Sequence, residues 1–203
     1  MTLFKNIFTT PLLVDRFKPP EGFNDTLFKL CQEAYKESNQ KLTDEKWDDY
    51  NIFDWKNTEI QKLKKIFVGT ARLFAKNNWG VDLPWEGFAL KGWANYRERN
   101  SFHGPHIHAN THLALTYYVK TANEGGAICF FDSRSGAPYF DLWGPNEFHL
   151  YPEESMIVAF PAYVQHMVAP VKDGARLSIT CNLLFPEKLK SLLPDSQQNI
   201  TFK

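Results

Sequence analysis

The chain has 203 residues and a mass of 23.5 kDa, enough for one domain with a sizeable core. Lys+Arg and Asp+Glu both number 23, so no global field attracts nucleic acid or an anionic membrane surface. No apolar run approaches the roughly 18 residues a spanning helix needs and no apolar leader opens the chain, which predicts a soluble, cytoplasmic protein.

In chain order, Leu3 to Val14 is a short apolar stretch broken by Pro11 and followed by Pro19-Pro20, the pattern of an edge strand and a turn. Asn24-Asp25 can cap a first helix carrying Leu27, Leu30, Cys31 and Ala34 at helical spacing. A polar segment with Trp47, Asp48, Asp49, Asp54 and Trp55 intervenes. Thr58 with Gln61 resembles a capping box for a second helix, whose stripe is Ile60, Leu63, Phe67, Ala71 and Phe74 and whose end is marked by Gly80. Both helices are expected on one face of a sheet.

From Trp85 the texture changes. Short apolar segments at 88–96, 113–119, 126–131, 147–151, 155–160, 163–169 and 175–184 alternate with turn signals such as Gly125-Gly126, Ser135-Gly136, Gly144-Pro145 and Asp173-Gly174. That spacing predicts an antiparallel sandwich or barrel, so the fold class is mainly β with supporting N-terminal helices. The aromatic content of 15% suits a core or pocket lined with rings. Cys31, Cys129 and Cys181 are odd in number and far apart, as free thiols of a reducing compartment are. The whole of 1–203 reads as one domain, with helical support over 1–84, a β core over 85–185 and a tail over 186–203.

Chemistry concentrates in two places. Four of the six histidines fall within ten residues, at 103, 106, 108 and 112. Alternation along an extended segment turns His106 and His108 to one face. His166 closes the segment Phe160-Pro-Ala-Tyr-Val-Gln-His166, and Arg176-Leu-Ser178 follows ten residues later among apolar neighbours. If the fold pairs the two strands, three imidazoles meet in an open metal site suited to oxygen chemistry on iron. An arginine on an apolar strand suits a carboxylate partner, its alternative being a surface ion pair.

These motifs resemble the Fe(II)/2-oxoglutarate-dependent dioxygenase superfamily in its prolyl-hydroxylase-like branch, and within it a group of largely uncharacterised bacterial and phage oxygenases. The likeness rests on Trp93-Ala-Asn95, Pro105-His-Ile-His108, Tyr117-Tyr-Val119, Gly125-Gly-Ala-Ile-Cys-Phe-Phe-Asp132, Phe160-Pro161 with His166, and Arg176-Leu-Ser178. It implies a double-stranded β-helix of jelly-roll or cupin-like kind. It implies Fe(II), 2-oxoglutarate and O2, with ascorbate as a supportive reductant, and hydroxylation of a C–H bond in a small molecule or a peptide side chain such as prolyl, with release of succinate and CO2. Position by position, His106 and His166 match metal histidines, and Arg176, followed by Ser178, matches the residue that holds the far carboxylate of 2-oxoglutarate. Tyr118 and Tyr96 match tyrosines near the two ends of that cosubstrate. Where the wider family has a carboxylate two residues after the first histidine, this chain has His108, so the third ligand is His108 or a carboxylate elsewhere such as Asp132. His103, His112, Phe140, Trp143 and Tyr163 are candidates for the substrate wall, and His149 is expected away from the metal. Two other readings are a three-histidine cupin-type dioxygenase without 2-oxoglutarate and a non-catalytic β-sandwich holding a structural metal.

Overall fold

A computed structural model describes residues 9–37, 50–134 and 146–192. Helix α1 (Phe23–Glu37) and helix α2 (Thr58–Trp79) flank a short 3-10 turn at Ile52–Asp54. The strands follow as β1 (Leu13–Arg16), β2 (Ala89–Arg97), β3 (His103–His106), β4 (Leu113–Lys120), β5 (Glu124–Gly125), β6 (Ile128–Phe131), β7 (Glu147–Leu150), β8 (Met156–Pro161), β9 (His166–Val168), β10 (Val171–Asp173) and β11 (Arg176–Leu184), with a last short helix α3 (Leu189–Leu192). Five strands form one sheet in the order β1-β8-β4-β11-β2, and four form a second in the order β3-β9-β6-β7, with β5 and β10 pairing beside them. Every pairing is antiparallel.

Period-two alternation divides the larger sheet between two cores. Leu113, Leu115, Tyr117 and Val119 of β4, with Leu177, Ile179, Cys181 and Leu183 of β11, face the helices. There they meet Phe23, Leu27 and Cys31 of α1 and Ile60, Leu63, Phe67, Ala71 and Phe74 of α2. All five residues of the α2 stripe expected from spacing are buried. The alternate positions face the second sheet, where Ala114, Tyr118, Ile128, Phe130, Met156, Val158, Phe160 and Val164 form a smaller core. The edge strand expected over Leu3 to Val14 is found at Leu13–Arg16, overlapping that stretch only at its end, and Leu3 to Phe8 lie outside the described residues.

Three local readings change. The cap of α2 is Asn57, whose side chain accepts from the Glu59 and Ile60 amides, while Gln61 Nε2 donates to the carbonyls of Phe53 and Trp55. Asparagine one residue earlier takes over the capping role expected of Thr58 and shifts the satisfied donors to Glu59 and Ile60. Asn24 lies inside α1 and ties it to the sheet, accepting from Tyr117 Oη at 2.8 Å and donating to Ser155 Oγ at 3.0 Å. The His103–His106 segment and Val171–Asp173 are strands not read from the sequence, both too short to carry a periodic pattern. The residues Trp47, Asp48, Asp49, Ser135, Gly136, Phe140, Trp143, Gly144 and Pro145 lie outside the described ones.

The exposed edge of β2 is covered rather than left open, which removes a template for strand pairing. Asn51 Oδ1 accepts from the Gly92 amide, Asn51 Nδ2 donates to the Leu90 carbonyl, and Tyr50 Oη accepts from the Ala94 amide. Gly92 is required there because a Cβ would stand 2.4 Å from the Phe53 ring.

Candidate metal and cosubstrate site

Antiparallel register brings the two motifs together. His106 at the end of β3 lies directly across from His166 at the start of β9. Two residues on, the His108 amide donates to the Ala162 carbonyl, which anchors the turn against the β8–β9 connection. The three imidazoles converge with ligand atoms all within 4.8 Å of one another. Ring centroids are 4.2 Å apart for His106 and His166 and 5.1 Å for His108 and His166.

Each ring has its Nδ1 against an oxygen: His106 on the Gly104 carbonyl at 2.8 Å, His166 on the Val164 carbonyl at 3.0 Å, His108 on Asn182 Oδ1 at 2.7 Å. A ring that donates through Nδ1 has its lone pair on Nε2, the form a metal needs. The Nε2 atoms of His108 and His166 are 3.2 Å apart. Two nitrogens bound cis at about 2.1 Å from a first-row metal lie about 3 Å apart, so the spacing fits a shared ion. Burial, reinforced by neighbouring imidazoles, lowers the His108 pKa to about 4 and that of His166 to about 3. Both rings are neutral at pH 7.

Asp132 is elsewhere. Its half-buried carboxylate is engaged by the exposed Arg134, whose Nη2 approaches to 2.5 Å and whose amide donates at 3.0 Å. The geometry therefore brings His108, and not Asp132, to the other two histidines. His149 is on the solvent side of β7, paired with Glu147 at 2.9 Å.

Below the histidines runs a narrow cavity lined by Trp93, Asn95, Arg97, Thr116, Ile128, Val168, Arg176, Ser178 and Thr180, with no carboxylate among its described lining residues. Arg176 is 3% exposed and its guanidinium carbon lies 5.2 Å from the centre of the Tyr118 ring. Burial pushes the Tyr118 phenol up, with Arg176 opposing. The Ser178 hydroxyl and the Asn95 amide oxygen are buried with no hydrogen bond among the described residues, and the buried Tyr118 hydroxyl is directed toward Arg176. Such atoms cost about 1–3 kcal/mol each when left so, and here they are cross-strand neighbours, Ser178 standing opposite both Asn95 and Tyr118. They and Arg176 form a polar cradle for an anion with several oxygens. 2-Oxoglutarate fits that donor set.

Tyr96 does not join it. Alternation along β2 turns Trp93, Asn95 and Arg97 into the cavity and sends Tyr96 to the helix side, where its ring packs at 5.2 Å from Tyr35 and 6.2 Å from Phe28. His103 stacks on His106 at 3.9 Å and lines the mouth. His112 is occupied with structure, its Nδ1 accepting from the Phe185 amide. Tyr163 is exposed on the rim, and Phe140 and Trp143 lie outside the described residues. Asn182, Thr180 and Thr116 were not singled out from sequence. Inward-facing polar residues on the β11 strand that carries Arg176 were the signal that could have found the first two.

A three-imidazole cup that could hold a metal ion opens beside a polar cradle, inside the two facing antiparallel sheets of a double-stranded β-helix. The family model described as "Putative 2OG-Fe(II) oxygenase" matches residues 91–182, a span that contains the whole site. Over that span, somewhat under half of its length, the chain is similar to the Fe(II)/2-oxoglutarate-dependent dioxygenases. Its fold is shared with a Pseudomonas putida prolyl-4-hydroxylase (14% identity, 86% of this chain and 87% of that one covered, TM-score 0.57). It is shared also with HygX from Streptomyces hygroscopicus with nickel and 2-oxoglutarate bound (13%, 88% and 83%, TM-score 0.56), and with a viral collagen prolyl hydroxylase from Paramecium Bursaria Chlorella virus-1 in a 2-oxoglutarate complex (11%, 85% and 94%, TM-score 0.54). Against a 2OG-Fe(II) oxygenase family oxidoreductase from Burkholderia pseudomallei the chain spans 57% of that protein's length (13% identity, 63% of this chain covered, TM-score 0.48). None of the curated proteins matches the chain in sequence.

Proposed function

We propose that this single domain holds Fe(II) through Nε2 of His106, His108 and His166 and the far carboxylate of 2-oxoglutarate through Arg176, Tyr118 and Ser178. Iron and cosubstrate, when bound with O2, supply hydroxylation of a C–H bond with release of succinate and CO2. The observation that carries the reading is the register His106↔His166, which sets the imidazoles above a buried arginine in one cavity.

The protein's own residues do the rest. Carbonyl and amide acceptors hold each imidazole in the tautomer that presents Nε2. Arg176 and the hydroxyls orient a dicarboxylate along β11. Thr116, Thr180 and Asn95, linked by contacts of 3.3 and 2.9 Å, fix the floor between them. Substrate reaches the metal from a wider cavity of about 630 Å³, lined by Leu90, Lys91, Ile107, Asn110 and Leu184 among others. A peptide side chain such as prolyl, or a small metabolite, fits an open mouth of this kind. No described helix is long and apolar enough to cross a membrane, and the three buried free cysteines support a reducing, cytoplasmic setting.

The deciding assay is a substrate panel under Fe(II) and ascorbate, scored for substrate-dependent succinate. Succinate release that needs Fe(II) and falls in the Arg176→Ala variant is expected. Turnover of a substrate without 2-oxoglutarate would instead favour the cupin-type reading.

A further inference from the structure

The family's carboxylate is replaced here by an imidazole, and an imidazole brings a requirement a carboxylate lacks: one of its two nitrogens must be held as the donor. We propose that Asn182 is the positioning residue that makes His108 a metal ligand, fixing its tautomer and ring plane. The inference rests on the three-histidine reading above and adds to it a residue that makes no contact with the ion.

Three observations carry it. Asn182 Oδ1 lies 2.7 Å from His108 Nδ1, the shortest of the three contacts that orient the cluster. The other two histidines are oriented by backbone carbonyls two residues before them, at Gly104 and Val164, which any sequence supplies. His108 has a side chain 74 residues away in its place. Asn182 occupies the next inward position of β11 after Arg176, Ser178 and Thr180, so one strand holds the cosubstrate cradle at one end and the ligand-orienting amide at the other.

An amide suits the position for a physical reason. Its oxygen accepts the Nδ1 proton and leaves the Nε2 lone pair facing the other two rings, while adding no charge to the cavity. Reversed, the amide NH2 would donate to Nδ1 and force the proton onto Nε2, which blocks coordination. Aspartate preserves the acceptor, and leucine removes it at similar volume.

The test uses Co(II) as an anaerobic spectroscopic probe, with ¹⁵N-resolved imidazole NMR on the metal-free protein. Wild type is expected to show His108 protonated at Nδ1. Asn182→Leu should lose that preference and bind Co(II) about 10–100-fold more weakly, the usual cost of removing an orienting partner, with an altered visible spectrum. Asn182→Asp should keep the tautomer and bind Co(II) at least as well as wild type. Wild-type Co(II) affinity in the leucine variant, or an aspartate variant no better than leucine, would overturn the proposal. Should the leucine variant not fold, wild-type His108 protonated mainly at Nε2 overturns it alone. His108→Ala separates the two levels: if it keeps its Co(II), the three-histidine reading itself fails. If it loses Co(II) and Asn182→Leu does not, only the role of Asn182 fails.

Discussion

His108 is where this chain departs from the pattern of the oxygenases it resembles, and the side chains around it decide how a substitution should behave. Its Nε2 stands 3.2 Å from that of His166, so His108→Asp keeps a ligand within reach of the ion and should retain Fe(II) under anaerobic conditions. His108→Ala leaves two protein ligands and should lose most of its iron. Asp132→Ala, whose carboxylate serves Arg134, should keep its iron, and so should His149→Ala. Iron content of the four purified variants checks all of this, and loss of iron from Asp132→Ala would reverse the assignment. Arg176 answers to a different measurement. A charge-assisted contact in a buried site is worth about 1.5–3 kcal/mol, so Arg176→Ala should weaken 2-oxoglutarate binding by about 10–100-fold. Isothermal titration of the Mn(II)-loaded protein gives that number directly, and unchanged affinity would remove Arg176 from the cradle. Both residues were legible in the sequence because a charged or ligating side chain amid apolar neighbours needs a reason to be there. Asn182 was not, since an asparagine gains meaning only from what its amide faces.

At the scale of elements, the helices and the 3-10 turn hold the large sheet in register behind the site. Gly92 allows the Phe53 ring to lie on β2, and a methyl group there would meet it at 2.4 Å. Gly92→Ala should therefore destabilise the protein by about 1–3 kcal/mol, read as a lower denaturant midpoint. Asn57→Ala removes the α2 cap and should cost about 1 kcal/mol by the same measurement, with metal content unchanged. The α2 stripe and the alternation of β4 and β11 were plain from sequence, because long regular elements repeat their period several times. Tyr96 shows the limit. It and Asn95 are adjacent on β2, and a one-residue difference in facing exchanges cavity for helix. The pairing of β2 with β11, Ser178 opposite Asn95, decides that Asn95 is inside.

Across the whole molecule, charge and burial predict how the site couples to solution conditions. The cavity gathers Arg97, Arg176 and four imidazoles, those of His103, His106, His108 and His166, with no carboxylate among its described lining residues. A divalent ion placed there gains no ligand charge until a dianion arrives, so metal and 2-oxoglutarate should bind with positive coupling. Mn(II) affinity measured with and without 2-oxoglutarate should differ by at least about tenfold, and Arg176→Ala should reduce the difference. Protons act in the opposite sense. His108 and His166, lowered to about 4 and about 3 from an ordinary value near 6.5, stay neutral in the folded, metal-free protein while the unfolded chain takes up protons. Stability is thus fully present above about pH 6.5 and falls as pH drops toward 4, by up to about 1.4 kcal/mol per pH unit for each ring. Thermal melts of the metal-free protein at pH 7 and pH 5 should show the loss, and His166→Gln should flatten it.

By itself the sequence determined the class of fold, the stripe of α2 and the alternation of the long strands, and it marked His106, His108, His166 and Arg176 as candidates for a metal and a carboxylate. Those follow from local periodicity and from the rarity of histidine and arginine in apolar strands, which a linear reading can see. Only the tertiary structure decided that His106 faces His166, that His108 rather than Asp132 completes the cluster, that Tyr96 turns away, and that Asn182 meets His108 across 74 residues. Each of those depends on strand register. Register is set by the burial of two whole sheet faces at once, and a shift of one residue would exchange every inward side chain for its outward neighbour.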